Sequence, residues 1–190
     1  MNNSKNSLNS TYNIAIIGLF AAISIVLIMI VRIPLFPSAS WLEYDLADIP
    51  ILLVGYIVHP IAGFFVLLVA AFIQAFTVSA QSGWIGLLMH LISSGALVLV
   101  SCFSFLLIKK LVNKELIRLI VSLILGGLVM VAVMIPLNLI FTPMLTGAPV
   151  SAVKELLVPA IIPFNLIKAA VNTVALCLIY YPVKMARNFF

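Results

Sequence analysis

Apolar residues along this chain gather into long runs instead of alternating with polar ones. No Asp, Glu, Lys or Arg occurs in residues 6–31, 49–108 or 119–153. Runs of that length mark lipid as the surrounding solvent, and a helix needs about 20 mostly apolar residues to cross its hydrocarbon core. The first predicted span is Tyr12–Val31, closed by Arg32 and Pro34. The block 49–108 divides at His59-Pro60 and at Gln81-Ser82-Gly83, because proline disfavours helix in the residue before it and glycine in a polar cluster marks a turn. That division predicts Ile49–Val58, Ile61–Ser79 and Trp84–Ile108. A fifth span covers Leu119 to about Thr142, before Pro143. A sixth runs from Pro159 or Phe164 to Tyr181, before Pro182. The connections are short except a first loop, Ile33–Ala47, and a fifth, Met144–Val158. The expected fold is an all-α integral membrane protein of six transmembrane helices, with residues 1–190 forming one domain.

Composition agrees. Hydrophobic residues make up 65% of the 190, against ten Lys or Arg and five Asp or Glu, far from the roughly one-quarter charged residues of a soluble domain. Mean hydropathy is +1.32. Tyr12–Val31 followed by Ser38-Ala39-Ser40 has the outline of a secretory signal, but its apolar run is long and Lys5 is the lone basic residue before it, so the span is expected to be retained. The net charge of +5 comes from residues at segment ends and forms no basic patch, which argues against nucleic acid. By the positive-inside rule, a cytoplasmic N-terminus puts Lys5, Lys109, Lys110, Lys114, Arg118, Lys184 and Arg187 inside, against Arg32 and Lys154 outside. Both termini are therefore expected in the cytoplasm, with the long first loop extracellular. Cys102 and Cys177 make no ligand or disulfide pattern.

One span is short. Ile49–Val58 makes about 15 Å of helix, so to cross it must extend back through Asp48, Ala47 and Leu46, carrying a carboxylate towards membrane depth. Polar or irregular backbone there is tolerated only when buried in protein or lining a cavity, which makes Trp41–Pro50 a candidate binding segment. Polar side chains within spans are functional candidates by default. They are Gln74, His90, Asn138, Asn165, Lys168 and Asn172. In the assigned orientation all but Asn172 fall in the outer part of the membrane, together with Asp48. The inner half keeps little beyond Ser101, Ser104 and Ser122. This asymmetry predicts a pocket opening outside. Asn165, Lys168 and Asn172 are spaced to share one helix face. Pro136 and Pro163 each precede an asparagine by two residues and are expected to kink or unwind the helix.

Plainer roles compete. Lys168 also suits a structural ion pair with Asp48 or Glu43, or an outward snorkel to the interface. The amides and His90 suit interhelical hydrogen bonds of about 0.6 kcal/mol each, and Trp41 and Tyr44 suit an interfacial aromatic belt. On the first span Ala15, Gly18 and Ala22 form a small-residue stripe that permits close helix approach, either within the bundle or to another membrane protein. No P-loop, H-E-x-x-H or G-x-S-x-G element occurs, so neither enzymatic activity nor a metal site is expected.

Six helices in under 200 residues, the first loop closing on Tyr44-Asp45-Leu46-Ala47-Asp48-Ile49-Pro50, the span-one stripe and Pro163-Phe164-Asn165-Leu166-Ile167-Lys168 resemble the S components of energy-coupling factor transporters. The resemblance is greatest to the riboflavin-binding members and covers essentially the whole chain. It implies capture of riboflavin from outside, as transported ligand and not as cofactor. It also implies partnership with a membrane coupling subunit and two cytoplasmic ATPases, consistent with the missing P-loop. On matching positions it implies that Asn138, Asn165 and Lys168 hydrogen-bond the ring edge or the ribityl hydroxyls. Tyr44, Leu46, Ala47 and Asp48 would form a cap, and Ala15, Gly18 and Ala22 would meet the coupling subunit. Gly18 departs from the alanine usual there, without hindering close approach. From the residues alone, thiamine, biotin or pantothenate as substrate stay open. So does a self-sufficient carrier using Asp48 and Lys168 as a proton relay, although no internal repeat of the kind such carriers show is evident.

Overall fold

A computed structural model describes residues 11–189; Lys5 lies outside them. In chain order the elements are α1 (Thr11–Ile30), the two-residue strands β1 (Ile33–Pro34) and β2 (Glu43–Tyr44), α2 (Asp48–Ile57), α3 (Pro60–Phe76), α4 (Gly83–Leu107), α5 (Glu115–Thr146), α6 (Val150–Leu156) and α7 (Ile162–Phe189). The described chain is helical apart from the β1–β2 pair and the connections. Four stretches are long and apolar enough to cross a bilayer: Thr11–Ile30, Ala80–Lys110, Glu115–Thr146 and Val150–Arg187. α2 and α3 are apolar but shorter, at 10 and 17 residues.

The predicted breaks have visible causes. At His59 the backbone is extended, its Nδ1 accepts the Ile61 N–H at 3.2 Å, and Pro60 occupies the first turn of α3, where a missing N–H costs nothing. α2 does not reach back to Leu46 as expected. It begins at Asp48, because Asp45 Oδ1 accepts the Ala47 N–H at 3.0 Å and turns the chain just before it. The short helix is hydrophobic all round, as a fully enclosed helix must be, with Ile51, Leu52 and Val54 wholly buried. A Cβ on Gly63 would lie 2.8 Å from Gly55 Cα, so α2 and α3 meet backbone to backbone.

The expected long fifth loop is mostly helix. α5 continues to Thr146, Gly147 turns the chain at φ 73°, and α6 follows Pro149. α5 also passes through Pro136 and Pro143 without ending. The helical ladder opens instead over Leu157–Ile161, around Pro159, where the Ile162 N–H donates to the Leu157 carbonyl five residues back. Proline offers no N–H to the residue four before it, and the wider turn re-pairs the chain.

One large core joins α1 to α5 and α7. A second, smaller cluster holds Ala39, Leu42 and Tyr44 of the first loop against Val153, Ala160, Ile161 and Phe164. The loop is thus seated on α6 and the wide turn. At the other end of the bundle Tyr12 Oη donates to the Arg187 carbonyl at 3.1 Å, and Arg187 donates to Asn13 Oδ1 at 3.2 Å. The start of α1 and the end of α7 are neighbours there.

Candidate binding site beneath the first loop

Asp48 heads α2 and is 0% exposed. A buried carboxylate persists only with a cation and hydrogen bonds around it, and this one has both. Lys168 Nζ lies 3.0 Å from its Oδ2. Asn172 Nδ2 donates to the same oxygen at 3.2 Å, and Tyr44 Oη donates to Asn172 Oδ1 at 3.1 Å. The shared helix face of Asn165, Lys168 and Asn172 is what lets one helix serve the loop, the head of α2 and the space beside them. Burial pushes the Tyr44 hydroxyl up to about 12, so it stays a donor. The first loop is therefore tied to α7 through polar contacts as well as through the apolar cluster.

Beside this network lies a cavity of about 140 Å³. The loop contributes Trp41, Leu42, Glu43 and Asp45; α3 contributes Ala71, Gln74 and Ala75; α4 contributes Leu87, Met89, His90 and Ser93; Met134, Phe164, Asn165 and Lys168 complete the walls. It adjoins an outer cavity of about 810 Å³, which shares Arg32, Trp41, Glu43, Ser79, Ser82 and Leu145 with it. At that junction Arg32 forms an ion pair with Glu43 and also donates to the Val78 carbonyl, joining the loop to the α3–α4 connection. The lining mixes apolar side chains with polar and charged ones, among them Gln74, His90, Asn165 and Lys168, and a concave site with convergent polar groups is the form of a small-molecule pocket.

The seven residues proposed from sequence take different places. Asn165 and Lys168 line the cavity, although Asn165 Nδ2 also donates to its own helix, to the Ile161 carbonyl at 2.8 Å. Tyr44, Ala47 and Asp48 lie buried behind it, and Leu46 packs against the loop cluster. Asn138 is turned to its own helix: Nδ2 donates to the Met134 carbonyl at 2.8 Å and Oδ1 accepts from Thr142 at 2.9 Å. Lys168 takes Asp48 and not Glu43, which Arg32 occupies. Asn172, Gln74, His90 and Trp41 join the site without having been among the seven; their signals were polarity inside a span and, for Trp41, its place in the candidate segment. Among the described residues no group of His, Cys, Asp and Glu fits a metal ion.

Residues 12–180 match the family described as ECF transporter, substrate-specific component. The chain belongs to this family. It is a multi-pass membrane protein that binds a substrate for transport, and not an enzyme. It is similar to the riboflavin transporter FmnP of Bacillus subtilis, 29% identical over 182 residues, which span 90% of this chain and 91% of that one. It is 27% identical over 185 residues to the riboflavin transporter RibU of Streptococcus thermophilus, covering 93% and 85% of the two chains. The solved S component of a bacterial ECF transporter superposes with a TM-score of 0.76 at 26% identity, over 90% of this chain and 94% of that one.

Proposed function

We propose that this S component captures riboflavin from the extracellular side and delivers it through an importer powered by separate ATPase subunits. The cavity beneath the first loop carries the reading: it sets apolar side chains such as Leu42, Leu87, Met134 and Phe164, which suit a planar ring, beside a lysine ammonium, whose three donors exceed what Asp48 takes, and the Asn165 side chain. Riboflavin is flat, neutral and rich in carbonyl acceptors. That both similar transporters are named for riboflavin supports the same substrate. Asn165 and Lys168 touch the ligand. Tyr44, Leu46, Ala47 and Asp48 hold the cap and the lysine, and Asn138 steadies the α5 turn bearing Met134.

Residues 1–190 act as one unit crossing the membrane six times, with both termini cytoplasmic and the first loop outside. Charge supports this orientation: Lys109, Lys110, Lys114, Arg118, Lys184 and Arg187 fall at the end away from the loop, Arg32 and Lys154 at the loop end. α2, too short to span alone, crosses inside the bundle. The partners are a membrane coupling subunit and two cytoplasmic ATPases. Ala15, Gly18 and Ala22 are all exposed on α1, and a Cβ on Gly18 would meet nothing within 4 Å, which suits close docking of a partner helix.

The test is an absorbance spectrum of the protein purified from cells in mild detergent. Flavin bands that persist through gel filtration are expected. A colourless protein that leaves added riboflavin fully fluorescent would overturn the substrate.

A further inference from the structure

Three side chains that line the same cavity from different elements each carry a buried polar atom without a hydrogen-bond partner: Nε1 of Trp41 in the loop, Oε1 of Gln74 on α3 and Nε2 of His90 on α4. A buried polar atom left unpaired is costly, and native structures keep few. Three around one cavity mark a place that a ligand completes. The amide nitrogen of Gln74 is already engaged with Ser79 Oγ at 3.3 Å, which holds Oε1 in its orientation. This set is also distinct in chemistry from the α7 side. The indole N–H only donates, the amide oxygen only accepts, and an imidazole nitrogen does either. A ring edge made of carbonyls satisfies only donors. A chain of hydroxyls, each both donor and acceptor, matches all three, and Asp45 and Ser93 on the same lining extend the match.

From this convergence we propose that Trp41, Gln74 and His90 form a polyol subsite that sets specificity for the sugar-alcohol chain of the ligand, while Asn165 and Lys168 serve its ring edge. This rests on the flavin reading above and deepens it. The subsite accounts for Gln74 and His90 lying within otherwise apolar helices, where a structural role would have paired them with a neighbouring helix.

The assignment is tested with the full chain in detergent by titrating two flavins, riboflavin and lumiflavin, the second carrying a methyl group where the first has its polyol. Wild type should prefer riboflavin. Each of Trp41→Phe, Gln74→Met and His90→Phe should weaken riboflavin about five- to tenfold, the loss expected for one hydrogen bond, and leave lumiflavin unchanged. Retained lumiflavin binding also reports that the variant is folded. Equal weakening of both flavins, or of neither, by all three variants would overturn the subsite while leaving flavin binding in place. A wild-type chain that binds neither flavin would overturn the underlying reading and the subsite with it.

Discussion

The two ends of the bundle treat polar groups in opposite ways. Beneath the loop, charged and amide side chains surround open space, and several of their atoms point into it. At the far end most polar groups pair with one another or lie against aromatic rings, and the two buried atoms without a hydrogen-bond partner there, Ser101 Oγ and Arg118 Nε, line neither cavity. Tyr56, Phe105 and Tyr180 meet edge to face with centroids 5.1–6.3 Å apart. The Arg118 guanidinium lies 4.3 Å from the Phe105 ring centre, where a cation is attracted by the ring face. Tyr56 and Ser122 share a 2.8 Å hydrogen bond, and Glu115 accepts from Tyr180 and Lys184. Neither cavity described above reaches this end. The same few polar residues of a membrane protein thus serve two arrangements, one closed against aromatic rings and one set around open space. Burial alone does not tell the two uses apart; convergence of unpartnered atoms on open space does.

The largest expected effect is on the charge pair. Lys168→Met leaves Asp48 as an uncompensated buried charge, which costs about 3–5 kcal/mol. Thermal unfolding in detergent should show a large loss, mostly recovered in the Lys168→Met/Asp48→Asn double variant. Flavin binding should stay weak in both. Equal stability of the single and double variants would remove the pair from the account. At the sealed end, a Cβ on Gly126 would fall 1.9 Å from Ser101 Oγ and 2.7 Å from the Leu97 carbonyl. Gly126→Ala should therefore destabilise by about 1–3 kcal/mol without altering flavin affinity of the folded fraction, which sharpens the division between sealing and binding.

A smaller effect is expected at the mouth. Arg32 and Glu43 are 30% and 34% exposed, and an ion pair so exposed is worth about 0.2–1 kcal/mol. Arg32→Gln should speed flavin release by up to about fivefold, measured by stopped-flow fluorescence; an unchanged rate would show that the Arg32–Glu43 pair plays no part in holding the loop. The smallest effect on binding belongs to Gly18→Leu. It should leave affinity and melting unchanged, yet abolish ATP-dependent uptake in vesicles with the coupling subunits. Undiminished uptake would move the docking face elsewhere.

Much of the helical order was legible because lipid-facing segments announce themselves by length, and because the signals at His59-Pro60 and Gln81-Ser82-Gly83 are local. α6 and the wide turn were not, since Met144–Val158 mixes proline, glycine and charge in a way that reads as loop and folds only against the first loop. Asn165 and Lys168 could be read as pocket residues from their helix face. Asn138 could not be judged, because an asparagine in a span looks the same whether it faces a ligand or its own backbone. Which acid Lys168 takes depended on how the first loop folds back. Trp41, Gln74 and His90 come from three elements, and their meeting around one cavity is a tertiary fact without a local signature.

The most direct measurement is titration of riboflavin fluorescence with the purified chain. Saturable quenching is expected, ending at one flavin per chain and weakening sharply when Lys168 and Asp48 are replaced together by Met and Asn. Emission equal to that in buffer at every protein concentration, or quenching unaffected by that double replacement, would contradict it.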